Sequence, residues 1–161
     1  MTTLAHFASK NPSKAAAIIA ETGETRTFAE LHERSARIAG FLARTLEQGE
    51  VIAVLLGNRL EYFDVCFGAR RAGLYFVPVS SHLTVGELEY ILRDSDAKVL
   101  FTEVRFDSIV SALPEDLKAA VQVLRVDGNE TSSLSYRQVA LEGDVPKLPD
   151  RDAGIDFAYS S

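Results

Sequence analysis

Apolar residues fill every position from 51 to 56, Val-Ile-Ala-Val-Leu-Leu, with no polar residue between them. A strand covered on one face alternates apolar with polar, so this run predicts an interior strand of a parallel sheet packed between helices. Behind it, Gly57 and Asn58 lead into a helical pattern that lasts to Ala72, breaks at Gly73 and resumes as an apolar strand over 75–79. The unit is β-α-β. Asn58 is placed to cap the helix with Glu61 as its reciprocal partner, and Gly73 to end it in the left-handed conformation. About fourteen helical positions span roughly 21 Å, which matches a six-residue strand of about 20 Å and lets the chain return to start a parallel neighbour. On a helical wheel Glu61, Asp64, Gly68 and Arg71 form one narrow stripe, and apolar side chains fill the rest. Such a helix is expected to be buried on more than its sheet-facing side, by other helices of the chain or by something larger.

The same patterns sort the remaining residues. Positions 4–10 read as a short amphipathic helix stopped by Asn11-Pro12, because the residue before proline is pushed out of the helical region. A strand over 15–20 turns at 21–24 and returns as an edge strand over 25–27. Thr27 and Glu30 form a capping box for a long helix to about Leu46, with Phe28, Leu31, Ile38, Leu42 and Leu46 inward. Glu30 with Arg34 and Glu33 with Arg37 lie four apart on its solvated face. Thr84 and Glu87 open a further helix to Asp94, followed by a strand over 98–102. Phe106, Ile109, Val110 and Leu113 give a helical stripe, Pro114 starts a helix to Ala120, and a strand spans 121–126. Ser135 and Gln138 cap a last short helix ending at Gly143.

These elements predict an α/β domain over 1–143, with a mostly parallel sheet of about five strands and helices on both faces. A polar linker with Pro146 and Pro149 follows over 144–154, and a further strand starts over 155–161. Because that apolar strand breaks off at two serines, the sequence reads as cut short.

Composition narrows the function classes. The 161 residues carry 23 acidic and 17 basic side chains, a net charge of −6, and the basic ones are scattered along helices. Electrostatic binding of nucleic acid or of an anionic membrane is disfavoured. No apolar run has transmembrane length, the N-terminus lacks a signal peptide's basic start and apolar core, and a single cysteine cannot form an internal disulfide. The cytoplasm is the expected compartment.

Local candidates for chemistry are few. Cys66 lies on the apolar side of its helix and reads as a small buried hydrophobe. His6, His32 and His82 are far apart, and no His or Cys pair has metal-ligand spacing. His82 follows the C-terminal end of the 75–79 strand, where α/β folds gather ligands, but a polar loop histidine is the favoured reading. Gly57-Asn58 sits where anions often bind, yet no glycine-rich phosphate motif accompanies it and a structural cap is favoured. Ser95 and Lys98 have S-x-x-K spacing but lie at a helix end, which rules out that chemistry. Arg70 is expected to complement the helix dipole or to meet a carboxylate from another segment. Asn129-Glu130-Thr131 fits a glycosylation pattern without any sign of secretion.

The order of the blocks carries more than any one of them. Asn11-Pro12 precedes Arg26-Thr27-Phe28-Ala29-Glu30-Leu31, then Ile38-Ala39-Gly40-Phe41-Leu42, Val51-Ile52-Ala53-Val54-Leu55-Leu56-Gly57-Asn58 and Arg70-Arg71-Ala72-Gly73-Leu74-Tyr75-Phe76-Val77-Pro78-Val79. The run from Leu83 to Phe101 completes the series. This succession resembles the N-terminal portion of the adenylate-forming superfamily, which comprises acyl-CoA synthetases, peptide-synthetase adenylation domains and firefly-type luciferases. The resemblance implies the N-terminal subdomain of that fold. Tyr159-Ser160-Ser161 is similar to the first three positions of the family's phosphate loop, Tyr-(Thr/Ser)-(Ser/Thr)-Gly, which implies that Ser160 and Ser161 begin the ATP grip of a longer parent.

By that resemblance the parent is an acyl-CoA synthetase (fatty-acid–CoA ligase). It would use ATP, Mg2+ and coenzyme A to convert a carboxylic acid, a fatty acid foremost, to an acyl-adenylate and then a thioester. These 161 residues alone are expected to be inactive, to bind no cofactor and to contain no catalytic residue or metal ligand. Their exposed apolar surfaces are expected to favour self-association. Two enzyme alternatives stay open: loading of a carrier-protein thiol, and luciferase-like oxidation of the adenylate. A non-catalytic binding domain is the alternative of another class.

Overall fold

The computed structural model describes residues 3–128, 135–142 and 144–159. In chain order the elements are α1 (Leu4–Lys10), β1 (Ala15–Ile18), β2 (Thr25–Thr27), α2 (Phe28–Thr45), β3 (Val51–Val54), α3 (Leu60–Arg71), β4 (Tyr75–Pro78) and α4 (Val85–Asp94). There follow β5 (Val99–Thr102), a 3-10 turn (Val104–Phe106) running into α5 (Asp107–Ser111), α6 (Glu115–Ala120), β6 (Gln122–Arg125) and α7 (Tyr136–Ala140). β1 and β2 form a separate antiparallel hairpin, and the main sheet is parallel in the order β4-β3-β5-β6.

Alternate residues of the apolar run face opposite layers, as its lack of polar positions predicts. Ile52 and Val54 pack with α2, α3 and α7, whereas Ala53 and Leu55 pack with α4, α5 and α6. All four are fully buried. Among the described residues the main sheet has four strands where about five were expected, and the further strand expected from 155 onward is reduced to one parallel bridge between Phe76 and Asp156.

Three helices start on the capping boxes read from the sequence: Thr27 with Glu30, Thr84 with Glu87 and Ser135 with Gln138. The box expected from Asn58 and Glu61 does not form. Arg59 occupies the N-cap of α3 without a side-chain cap, its Nε donates to Glu61 at 2.8 Å, and the Gly57 N–H donates to Glu103 at 2.9 Å. Burial pushes the Glu61 carboxyl up, but the Arg59 hydrogen bond and charge outweigh it and leave the value lowered. Gly73 ends α3 with φ at 74°, as expected. The last helix ends at Ala140 with Leu141 at its C-cap, three residues before the expected end at Gly143, which itself lies outside the described residues.

The stripe on α3 meets α2 through Gly68 and Arg71, and the hairpin and α7 through Asp64. A Cβ on Gly68 would lie 2.6 Å from Ile38 Cγ2, so the two backbones approach as closely as glycine permits. Arg71 donates to the His32 carbonyl at 2.7 Å and to Ser35 Oγ at 3.0 Å. Burial, then the Arg71 charge, lowers the His32 pKa. Asp64, fully buried, meets Arg26 of β2 at 2.9 Å and accepts from the Tyr136 hydroxyl of α7 at 2.6 Å. Phe63 and Phe67, on the far side of α3, are each 36% exposed.

Residues 144–154 form a docked strap. Pro146 lies over Gly40, Leu148 packs on the α2/α3 core, and the Gly154 N–H donates to the Arg70 carbonyl at 2.9 Å. Arg151 Nη1 donates to the carbonyls of Leu46 at 3.0 Å and Ala72 at 3.1 Å, which are end groups of α2 and α3. A cation at helix C-termini is favoured by the dipole as well as by the hydrogen bonds.

Removing Asp64 strands a buried guanidinium, so Asp64→Ala is expected to lose about 3–5 kcal/mol in chemical denaturation, and Asp64→Asn less. Gly68→Ala is expected to lose about 1–3 kcal/mol despite alanine's better helix propensity, because the overpacking against Ile38 exceeds that gain. The Thr27 N–H donating at 2.8 Å holds the Glu30 carboxyl below its ordinary 4.5. A lowered carboxyl stabilises above its unfolded value and loses that contribution as pH falls through the folded one. In thermal melts from about pH 6 to about pH 3, Glu30→Gln is therefore expected to show a shallower decline, by about 0.5 kcal/mol.

Candidate functional site

Every strand of the main sheet ends on the same edge, and the connections diverge there. From β3 the chain returns through α3 on one face, and from the adjacent β5 it continues through α5 and α6 on the other. A crevice between strands whose connections part this way is where open parallel sheets take ligands.

Here the chain's own carboxylates fill the crevice. Glu103, immediately after β5 and 7% exposed, accepts the Gly57 N–H at 2.9 Å on Oε1 and the Arg59 guanidinium at 2.8 Å on Oε2. Arg105 Nε donates to the same Oε1 at 2.6 Å, and its guanidinium lies where a Cβ on Gly57 would be. Arg59 also donates to Asp127 at 2.8 Å, and the other Asp127 oxygen accepts the Val104 N–H at 2.8 Å. Burial alone would lower the Arg59 pKa, but Glu61, Asp127 and Glu103 reverse that and raise it. The network ties together the chain after β3, β5 and β6. Outside it opens a 640 Å³ cleft whose walls include Thr22, Asn58, Ser81, His82 and Arg105. Neither Glu103 nor Asp127 was picked out by sequence reasoning. The available signal is an acidic residue directly after a fully buried strand.

The second arrangement lies beyond β4. The Phe76 N–H donates to the Ile155 carbonyl and the Phe157 N–H to the Phe76 carbonyl, each at 3.1 Å. This segment therefore runs parallel to β4 and leaves the sheet at the same edge as the crevice loops. Its last described residue, Tyr159, donates to Asp94 Oδ2 at 2.6 Å and lines a 310 Å³ groove with Pro78, Leu83, Tyr90 and Ile91. Ser160 and Ser161, the candidate phosphate-loop hydroxyls, lie outside the described residues.

Other sequence candidates are not brought together. Cys66 is buried, and burial pushes its thiol up to about 12, as suits a packed hydrophobe. Ser95 bonds the Ile91 carbonyl and Lys98 pairs with Asp96. His82 is exposed beside Ser81, distant in role from His32 under α3. Arg70 is exposed on the last turn of α3. Among the described residues, no group of three or more His, Cys, Asp and Glu side chains is placed to hold a metal ion. No helix of the described residues is long and apolar enough to cross a membrane.

A parallel four-stranded sheet with helices on both faces, bridged at β4 by Asp156, defines an α/β subdomain. The chain belongs to the AMP-binding enzyme family, whose match covers residues 4–160. It is 38% identical over 93 residues to a fatty acid–[acyl-carrier-protein] ligase of Streptomyces coeruleorubidus, covering 57% of this chain and 18% of that protein. It is 35% identical over 135 residues to a feruloyl-CoA synthase of an Amycolatopsis species, covering 83% and 24%. A solved fatty acyl CoA synthetase of Mycobacterium tuberculosis superposes with a TM-score of 0.76 at 22% identity, covering 98% of this chain and 32% of that one. The chain thus spans about a quarter or less of the length of these two curated relatives.

If the Arg59 fork holds the three crossover loops in register, Arg59→Ala is expected to lower stability by about 2 kcal/mol, read by urea unfolding. Arg59→Lys is expected to restore less than half, since an ammonium cannot bridge three carboxylates with a planar fork.

Proposed function

We propose that this chain is the N-terminal part of an ATP-dependent acyl-CoA synthetase that activates a carboxylic acid, a fatty acid foremost, as its adenylate and passes the acyl group to coenzyme A. The observation that carries the proposal is the parallel docking of residues 155–157 on β4. It supports delivery of Ser160 and Ser161 to the sheet's ligand edge, where backbone N–H groups and hydroxyls can meet phosphates.

Three N–H groups at the strand and loop ends of this edge are not open to a phosphate. The N–H groups of Gly57, Val104 and Thr84 are already taken by Glu103, Asp127 and Glu87. A second anion at the Gly57 N–H would face the buried Glu103 carboxylate. The hydroxyl donors proposed for ATP are Ser160 and Ser161, on the resemblance of Tyr159-Ser160-Ser161 to the start of the family's phosphate loop. When bound, ATP supplies the phosphorus electrophile, with Mg2+ balancing its charge. The chain's contribution is to hold that loop root against the edge of the parallel sheet.

Carrier-protein loading has specific support as a second reading, from the name of the Streptomyces coeruleorubidus relative. The two acceptors separate in an AMP-release assay with either coenzyme A or a phosphopantetheinylated carrier.

Titration of ATP into the 161-residue chain by calorimetry is expected to give no saturable heat. In the full-length parent, acid-dependent exchange of pyrophosphate into ATP is expected, with most of it lost in Ser160→Ala/Ser161→Ala. Saturable micromolar binding of ATP by the short chain, or undiminished exchange in the double variant, would sink the assignment.

A further inference from the structure

We propose that Tyr159, Asp94 and Tyr90 form a latch that fixes where the chain leaves β4, making Tyr159 and Asp94 positioning residues for the two serines that follow. The inference rests on the reading of Ser160 and Ser161 as the opening of a phosphate loop.

The need for a latch comes from the weakness of the ladder. β3 and β4 share four registered pairs, whereas the 155–159 segment has one bridge and two backbone hydrogen bonds to Phe76. Ile155 is 53% exposed and anchors little. Behind it the chain is tied by the Gly154 N–H to the Arg70 carbonyl, but past Phe157 no backbone hydrogen bond is seen among the described residues, and a group that must meet a ligand within about half an ångström cannot be hung from a free end.

Aromatic rings and one charged hydrogen bond supply the missing points. The Phe157 ring packs against the α4-side core and meets Tyr75 at 6.4 Å and Tyr159 at 6.1 Å between centroids. Tyr159 stands edge-on to Tyr90 at 5.9 Å, and its hydroxyl donates to Asp94 at 2.6 Å. Both partners sit on α4, whose start is closed by the Thr84/Glu87 box and whose Leu88 and Leu92 are buried. The post is rigid. Asp94 is left to Tyr159 because the neighbouring Arg93 turns to Glu89 and Asp116. Burial, then the Asp94 hydrogen bond and charge, pushes the Tyr159 hydroxyl up to about 12, so it remains a donor throughout the neutral range.

Amide hydrogen exchange by NMR on the 161-residue chain tests this without nucleotide. Tyr159→Phe and Asp94→Ala are each expected to accelerate exchange at the Phe157 amide about five- to tenfold. The Leu55 amide, which donates to Phe101 inside the sheet, is expected not to change. Asp94→Asn is expected to keep most of the protection, since its side-chain oxygen still accepts. Unchanged exchange at Phe157 in both disruptive variants overturns the latch, and so does equal acceleration at Leu55, which would report general loosening. In the polypeptide that carries the loop, Tyr159→Phe is expected to raise the KM for ATP more than it lowers kcat. A fall in kcat alone overturns the positioning role. Absence of ATP chemistry from the parent, with the exchange result intact, would instead defeat the ligase reading.

Discussion

A carboxylate shut away from water has to be met by partners, and for Asp64 they come from β2 and α7. Burial pushes the Asp64 carboxyl up, while the Tyr136 hydroxyl and the Arg26 guanidinium pull the other way. Both partners meet the same oxygen, Oδ2, while Asp64 Oδ1 and Arg26 Nε are buried without a hydrogen-bond partner, so any arrangement of hairpin and helices that lost these two contacts would strand the charge altogether. The hairpin lies outside the main sheet, and α7 is a short helix late in the chain. Asp64 joins both to α3, which is bound face to face with α2 through Gly68. The hydrophobic layers supply the cohesion, and this contact supplies the registry.

The ligand edge shows the same economy of charge. Glu103 and Asp127 occupy the N–H groups that an anion would otherwise seek, and Arg59 and Arg105 neutralise them. The β3–β5 crevice is thereby committed to holding loops together. Within the AMP-binding enzyme family, the proposed phosphate contacts then fall to the chain beyond β4, which approaches the edge along a different line.

Much of this was legible in the residues because the deciding interactions are local. Capping boxes join positions three apart, and each of the three observed ones can be read from a hydroxyl and a carboxylate or amide. The unbroken apolar run of β3 announced burial on both faces, and Gly73 announced the end of α3. The misreading at Asn58 has a long-range cause: Glu103, 46 residues later, claims the Gly57 N–H, and Arg59 claims Glu61. The α3 stripe was visible, but its partners Arg26, His32 and Tyr136 lie on three other elements, and periodicity has no means of pairing them. The further strand expected from 155 onward kept its direction and lost its length. Nothing in five apolar-rich residues says that one bridge will suffice.

The strap over 144–154 bears on the order in which the chain can settle. Arg151 reaches back 105 residues to the Leu46 carbonyl and 79 to that of Ala72. Contacts so remote in sequence are slow to find each other. As a growing polypeptide leaves the ribosome, α2 and α3 can pack before Arg151 has been made, with water standing in at their terminal carbonyls. Synthesis of the strap then closes the subdomain from behind, like a clasp fitted after the lid.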